Sequence, residues 1–272
     1  MRRKLKIYLP FALNTLKQKM AYKGAFYLFM FVDTFGAFIS YFLWMAIYGS
    51  TGNNTLGGLT QNEMVVYIFM MHITANMVQI PISKSVSQDV VKGSVAMNLI
   101  KPIDYRMSLI SKACGSMIYQ LIAPGIFIWI GLEIYKVQAL HMSLTGIREI
   151  LLYIPSCLMS FLIYVLFDFC FGMLAFVTTY IFGMQMAKDA LLSFLTGQLI
   201  PLAFFPVGIQ KVFELLPFSS MLYTPVMIYL GKYEGSMLIM ALVRQAIWVV
   251  LLYLLGSWIW KCITKRLVVL GG

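Results

Sequence analysis

Long apolar runs, bounded by charged residues or by clusters of Gly, Asn and Pro, dominate the pattern of hydrophobic and polar positions. Because a bilayer core about 30 Å thick requires about 20 apolar residues per helix, this pattern predicts six membrane-spanning helices. Their approximate bounds are 24–48, 64–82, 107–130, 150–182, 187–205 and 236–260. The fourth run is too long for one simple span, so we expect it to tilt or to extend beyond the bilayer.

The composition supports the same interpretation. Apolar residues make up 61% of the chain and charged residues only 11%, and the mean hydropathy is +0.83. Soluble domains have about 45–50% apolar and about 25% charged residues. An ordinary cytosolic enzyme, a disordered tail and a disulfide-stapled secreted module are therefore excluded, and we expect an all-α polytopic membrane protein with a spanning domain over 24–262.

The positions of the cations predict the orientation of the chain. Seven of the 21 Lys and Arg residues precede the first predicted span, whereas the connection between spans one and two has none. Others cluster between Lys84 and Lys112, at Lys188 and around the tail 263–272. Since cytoplasmic segments carry the excess of Lys and Arg, both termini are predicted to be cytoplasmic.

The segment 1–23 has the pattern of a helix lying in the membrane interface. Apolar residues recur there at helical spacing, from Leu5 through Tyr8 and Ala12 to Leu16, and cations occupy much of the remainder. Pro10 is expected to kink this helix. The alternative is a cationic leader that only sets topology.

The connection over 83–106 is the longest predicted cytoplasmic loop. Val86, Val90 and residues 96–99 can line one face of a short amphipathic helix, broken at Gly93 and stopped before Pro102. Such a helix against the inner membrane face suits docking to another protein. The alternative is a solvated loop with a turn along the membrane surface.

The stretch 201–225 is too apolar for a free loop and too broken by proline for a span. We expect a re-entrant helical hairpin, dipping into the outer leaflet as short helices packed on protein, because unsatisfied backbone is not tolerated against lipid. Its candidate residues are Pro201, Phe204, Phe205, Pro206 and Pro217.

Two sets of polar residues recur at positions i, i+4 and i+7 of predicted spans. They are His72, Asn76 and Gln79 in the second span and Asp189, Ser193 and Thr196 in the fifth. Each set forms one stripe on its helix, which suits a shared polar interior and hence a translocation path. Hydrogen bonding between helices without any ligand is the alternative.

Isolated charges within spans are costly in hydrocarbon. Asp33 lies deepest in the predicted bilayer, and Arg244 is expected either to pair with it or to extend to the outer surface. Asp168 lies toward the cytoplasmic end of the fourth run and is expected to reach the inner interface. The four cysteines lie in or beside apolar runs and are expected to be buried small hydrophobes.

Motifs of enzymes are absent from the sequence. There is no G-x-x-x-x-G-K-[ST], H-E-x-x-H or G-x-S-x-G, and the two histidines are His72 and His141. We therefore predict no catalytic residue, no metal site and no nucleotide hydrolysis in this chain.

Two short motifs carry a family resemblance. Gly93 is followed six residues later by the pattern Leu-x-[KR]-Pro, here Leu99 to Pro102, and residues 200–206 read Ile-Pro-Leu-Ala-Phe-Phe-Pro ahead of 216–218 and 223–225. The chain resembles the permease subunits of type-2 ABC exporters, in particular the six-span subgroup often described as viologen or multidrug exporter permeases. It departs from the subgroup at 94–96, Ser-Val-Ala, where relatives often carry an acidic residue.

The resemblance implies a half-transporter in the cell membrane: two such permeases, identical or paralogous, with two copies of a separate P-loop ATPase that binds ATP and Mg. It implies that the second-to-third loop is the coupling helix seated in the ATPase, and that spans two and five line the path. The implied coupling residues are Val86, Asp89, Val90, Lys92, Gly93, Leu99, Lys101 and Pro102. An ATPase-independent carrier or a membrane scaffold is the alternative, and no nucleic-acid partner is expected.

Overall fold

A computed structural model describes the backbone of residues 2–21, 23–178 and 180–270. Side chains are described over the same ranges except at 2–6, 23, 25–30, 33, 96, 99 and 266–270. Nearly all of this part of the chain is α-helical, as the apolar pattern predicted.

The helices follow one another with short connections, and their bounds are as follows. They are α1 Arg2–Ala21, α2 Lys23–Thr51, α3 Gln61–Val78, α4 Ile82–Val91, α5 Ser94–Leu99, α6 Tyr105–Gln120, α7 Ile126–Gln138, α8 Ile147–Gly172, α9 Ala175–Thr178, α10 Phe182–Leu195, α11 Val207–Leu215, α12 Tyr223–Tyr229 and α13 Gly235–Leu270. One π-helical turn, Leu121–Gly125, joins α6 to α7, and one 3₁₀ turn, Leu202–Phe204, follows α10.

Four helical segments of the described chain are long and apolar enough to cross a membrane. They are Gln61–Val91, Tyr105–Gln138, Ile147–Thr178 and Gly235–Lys265. These segments cover the predicted spans two, three, four and six, and each has 31 to 34 residues. Gln61–Val91 and Ile147–Thr178 are each divided between two helices, whereas Tyr105–Gln138 and Gly235–Lys265 are continuous. At 1.5 Å per residue the two continuous segments are about 46–51 Å long, which exceeds the bilayer core of about 30 Å.

The predicted first span coincides with α2, a single helix of 29 residues. The predicted fifth span, 187–205, has the wrong bounds, because α10 covers Phe182–Leu195 and has only 14 residues. Gly197 adopts a positive φ of 81° after this helix, a conformation that commonly ends helices at glycine, and Pro201 follows. The total of six spans remains a prediction.

The core surrounds α3, which is buried along most of its length from Met64 to Val78. It packs against α2, α6, α7, α8 and α12. Every residue of α12 is buried, and this short helix lies between α3 and α8. α8 packs in turn against α13 and α4, so the docked helices form one continuous bundle.

The N-terminal segment is helical as predicted, but α1 runs through Pro10 without interruption and packs along α6. At the crossing, a Cβ on Gly115 would lie 2.2 Å from the carbonyl oxygen of Ala12, so only glycine permits this approach. The Lys19 ammonium lies 5.6 Å from the centroid of the Tyr119 ring, and burial lowers the pKa of this lysine. The location of α1 in the membrane interface stays a prediction.

An antiparallel hairpin, β1 Thr55–Leu56 and β2 Leu59–Thr60, precedes α3. Its two-residue turn is Gly57-Gly58, with φ values of 55° and 76°, which is the pairing that a tight hairpin turn requires. Thr60 and Glu63 then form a capping box at the start of α3. The hairpin therefore fixes where the core helix begins.

The stretch 201–225 consists of short helices packed partly on protein. The rings of Phe204 and Trp44 lie 4.9 Å apart, and Phe205 contacts both Phe194 and Phe213. Pro201 and Pro217 are buried, whereas Pro206 is exposed and no residue of α11 is buried. How deeply this stretch enters a membrane stays a prediction.

Candidate functional site

Helices α4 and α5 form a hairpin-like projection, residues 82–102, which we call the docking segment. α4 ends at Val91, Gly93 takes a left-handed φ of 68°, and α5 runs back from Ser94 to Leu99 ahead of Pro102. A Cβ on Gly93 would meet nothing within 4 Å, so the backbone conformation alone favours glycine there. The predicted break at Gly93 and stop before Pro102 both agree with these helix bounds.

The Asp89 carboxylate holds the docking segment together. It accepts hydrogen bonds from Ser94 Oγ at 2.7 Å, from Asn98 Nδ2 at 3.2 Å and from the Tyr105 hydroxyl at 2.7 Å. The Lys101 ammonium donates to Asn98 Oδ1 at 2.9 Å. Because an ionised acceptor makes stronger hydrogen bonds than a neutral one, α4, α5 and the first turn of α6 are joined as one unit.

The coupling residues that the resemblance implied have unequal exposure. Lys92, Gly93, Lys101 and Pro102 are exposed, Asp89 and Val90 are half-buried, and Val86 is fully buried. The side chain of Leu99 lies outside the described residues. Val86 therefore belongs to the contact between α4 and α8 and does not reach the surface of the docking segment.

Among the described side chains of the docking segment, three large apolar ones are exposed, of which the sequence reasoning named Met97 and missed Val91 and Ile100. The exposed fractions are 56% for Val91, 62% for Met97 and 77% for Ile100. The sequence pattern alone does not show which apolar residues are exposed, because in a membrane protein an apolar side chain can face lipid, protein or water. Only the fold decides between these environments. Lys92 follows Val91 and Lys101 follows Ile100 in the sequence, and we call these three exposed apolar residues, with the two lysines, the docking tip.

A fully buried cluster of charges lies beneath the docking segment. The Asp168 carboxylate of α8 accepts hydrogen bonds from the Ser83 backbone N–H at 2.7 Å and from Ser83 Oγ at 2.9 Å. It also pairs with the Lys188 ammonium of α10. Both side chains are buried, and each charge compensates the other inside the protein; the level of Asp168 relative to the inner interface stays a prediction.

The predicted stripe on the second span lies along the least buried line of α3. His72, Asn76 and Gln79 are half-buried, whereas most of their neighbours on this helix are fully buried. A Cβ on Gly36 of α2 would lie 3.7 Å from His72 Cε1, so α2 runs beside the stripe. Gln79 Nε2 donates to Gln198 Oε1 at 3.4 Å, which joins the C-terminal end of α3 to the turn after α10.

The three predicted residues on the fifth span have different surroundings. The Asp189 side chain is 60% exposed and lies 3.2 Å from the Lys188 ammonium. Ser193 Oγ donates to the Ala190 carbonyl at 2.7 Å, and the fully buried Thr196 hydroxyl donates to the Leu192 carbonyl at 2.7 Å. Gln198, which the sequence reasoning missed, makes the contact with α3.

A second buried ion pair lies at the other end of the bundle. The Glu133 carboxylate accepts hydrogen bonds from Lys136 Nζ at 3.0 Å, from Thr145 Oγ1 at 2.6 Å and from the Tyr229 hydroxyl. The Trp129 indole N–H donates to the same tyrosine at 2.9 Å. This cluster ties α7 and the loop before α8 to the buried helix α12.

Arg244 contacts the end of α11. Its guanidinium donates to the Glu214 carbonyl and lies 3.5 Å from the Glu214 carboxylate at the end of α11. The side chain of Asp33 lies outside the described residues. Whether Arg244 pairs with Asp33 or extends to the outer surface stays a prediction.

An apolar groove of about 350 Å³ opens between α2, α3 and α7, next to the stripe on α3. Aromatic rings dominate its lining, among them Phe38, Tyr41, Phe69 and Tyr135.

In the described part of the chain, no three His, Cys, Asp or Glu side chains are close enough to hold a metal ion. Of the cysteines, Cys157 is buried but Cys262 is exposed, so the expectation of burial fails at Cys262.

Comparison with known families adds an independent finding to this geometry. The model of a family described as "ABC-2 family transporter protein" matches residues 35–271. The match includes α3 to α12, and with them the docking segment, the buried charge cluster and the stripe on α3. A search of the curated proteins found no match.

Proposed function

The chain belongs to the ABC-2 family of transporter proteins, and from this premise we propose that it is the permease subunit of an ATP-driven exporter. It is an integral, multi-pass membrane protein. The proposal adds that a separate P-loop ATPase binds ATP and Mg, that two permeases assemble with it, and that the complex lies in the cell membrane with both permease termini in the cytoplasm.

The observation that carries this proposal is the shape of the docking segment. Its tip presents Val91, Met97 and Ile100 to solvent, and Asp89 holds that tip rigid against α6. Exposed apolar groups rimmed by polar residues are typical of protein interaction sites. A rigid tip also moves as one body when a partner displaces it, whereas a flexible loop would change its own conformation and leave the rest of the protein in place.

The translocation path is proposed to follow the half-buried line of α3. His72, Asn76 and Gln79 lie on this line, and the apolar groove beside Phe69 continues it toward the start of the helix. Asp189, Ser193 and Thr196 are proposed as the facing residues of α10. The contact between Gln79 and Gln198 supports this placement at one point.

The experiment compares two substitutions at equally exposed isoleucines. Ile100 is 77% exposed at the docking tip, and Ile147 is 78% exposed at the start of α8. The intact chain and each variant, Ile100→Asp and Ile147→Asp, are purified in mild detergent, the proteins that accompany them are identified, and the ATP hydrolysis of the reconstituted complex is measured.

We expect a P-loop ATPase to accompany the intact chain and the Ile147→Asp variant. A carboxylate desolvated against the partner costs about 1–3 kcal/mol, and about 1.4 kcal/mol corresponds to tenfold in affinity. The Ile100→Asp variant should therefore lose most of its ATPase while remaining folded. An intact chain that brings no ATPase with it would favour the ATPase-independent carrier or the scaffold.

A further inference from the structure

The first turn of α4 is capped by a different helix. Pro81 precedes α4 and supplies no side-chain hydrogen bond to its free N–H groups, which every helix leaves at its start. The Asp168 carboxylate of α8 takes that place, because it accepts both the backbone N–H and the hydroxyl of Ser83. The negative charge at a helix N-terminus also matches the helix dipole.

The same carboxylate connects α4 to α10. Lys188 of α10 pairs with Asp168, and its ammonium lies 5.1 Å from the centroid of the Phe171 ring and 5.8 Å from that of Tyr164. Gln185, one turn earlier on α10, donates to Ser83 Oγ at 3.3 Å. Gln185 therefore contacts the first turn of α4 directly, and Lys188 is linked to the same turn through Asp168 of α8.

The backbones of α4 and α8 approach closely at this turn. A Cβ on Gly172 would lie 2.9 Å from Ser83 Cα, so the two helices meet without a side chain between them. Val91 at the end of α4 is eight residues beyond Ser83, a distance of about 12 Å along the helix. Ser83 is thus held in place against α8, and α4 extends from it to the docking tip.

From this geometry we propose that Asp168 and Lys188 are positioning residues of the transport cycle, which link the docking segment to α10. A displacement of the tip by the ATPase turns α4 about Ser83, and the buried ion pair transfers this movement to α10. The inference rests on the proposed function, because it takes the ATPase to be the partner that moves the tip.

The variant that tests the link removes the ion pair and keeps the rest. In Asp168→Asn/Lys188→Met, the Asn carbonyl still accepts the Ser83 N–H, and no buried charge is left uncompensated. The ion pair between α8 and α10 is lost, whereas Gln185 can still donate to Ser83. The matched control, Glu133→Gln/Lys136→Met, removes the other buried ion pair, which lies at the opposite end of the bundle.

The measurement follows α10 directly. Ala187 is exposed on α10 beside Lys188, and a single cysteine is placed there on a background in which the four native cysteines are replaced. Its reaction rate with a maleimide is measured in the complex with the co-purified ATPase, without nucleotide and after trapping with ATP and vanadate. The amount of bound ATPase and the melting temperature are recorded for every variant.

We expect trapping to change the labelling rate at least about fivefold in the parent and in the control, as befits a coupling between two sites. The ion-pair variant should retain its ATPase and show no change. An ion-pair variant that responds like the parent would overturn the inference, and so would a parent that binds the ATPase without any response. A parent that brings no ATPase contradicts the proposed function instead.

A second variant covers a failure of the first to assemble. Ser83→Ala/Gln185→Leu keeps the ion pair and removes the hydroxyl contacts of α4 with its two neighbours. A smaller response to trapping than in the parent supports the link, and a response equal to that of the parent contradicts it.

Discussion

Gly115 shows how a single residue decides whether two helices can pack. Its position in α6 lies against the backbone of Ala12 in α1, at a distance that no side chain tolerates. The sequence offers no sign of this requirement, because Gly115 stands in an ordinary helical pattern. Only the crossing of α1 over α6 makes it necessary.

Replacing Gly115 by Ala should therefore destabilise the protein. The added Cβ would lie 2.2 Å from the Ala12 carbonyl oxygen, and overpacking of this kind costs about 1–3 kcal/mol. Gly131→Ala is the matched control, since a Cβ there meets nothing within 4 Å in the middle of α7. Melting temperatures in the same detergent check the prediction, which an unchanged value for Gly115→Ala would contradict.

The buried ion pairs could not be derived from the sequence for a related reason. Asp168 and Ser83 are 85 positions apart, and Lys188 lies in a short helix of its own. Counting cations by loop assigns Lys188 to the cytoplasmic side of the membrane, and such a count does not tell which side chain the cation pairs with. The pairing of Lys188 becomes visible only in the fold, which brings α4, α8 and α10 together at Asp168.

Among the elements, the apolar runs located helices well but did not locate their ends. Four predicted spans coincide with helical segments of sufficient length, and their apolar residues are the reason. The fifth failed because an apolar run continues through Gly197 and Leu202, whereas the backbone turns there. Hydropathy indicates which residues avoid water, but it carries no information on the backbone angle φ, and a positive φ at Gly197 is what ends the helical region here.

The docking segment gives a prediction at the scale of an element. In Asp89→Ala, α5 loses its two hydrogen bonds to Asp89, from Ser94 and Asn98, and α6 loses the one from Tyr105. Residues 94–104 should therefore exchange their amide hydrogens faster. Each bond to a charged acceptor contributes about 1.5–3 kcal/mol. Asp104→Ala is the control, because it removes only the N-cap of α6; equal exchange in both variants would refute the role of Asp89.

For the whole molecule, the orientation in the membrane is the prediction to check first. Single cysteines at Asn54 and Ser143 should react with an impermeant thiol reagent in whole cells, and one at Met97 should not. Ser87, which the loop assignment would favour as the inner reporter, is only 8% exposed and would stay silent on either side. Labelling of Met97 from outside would reverse the proposed orientation.

The length of the helices has a consequence for the environment of the partner. The continuous segments Tyr105–Gln138 and Gly235–Lys265, of about 46–51 Å, exceed the bilayer core by about 16–21 Å. The polar residues in the first turns of α6 place much of this excess on the docking side. The Debye length is about 8 Å at physiological ionic strength. A partner on the docking tip would therefore stand clear of the surface potential of the lipid headgroups.

It follows that binding of the ATPase should depend little on lipid charge. We expect the same affinity in nanodiscs of neutral lipid and in nanodiscs with a large anionic fraction, at physiological salt. Lowering the salt tenfold lengthens the Debye length to about 25–30 Å. The affinity for the ATPase should then differ between the neutral and the anionic nanodiscs. A strong dependence at physiological salt would mean that the tip lies within the headgroup region, and that the helices are tilted and do not overhang.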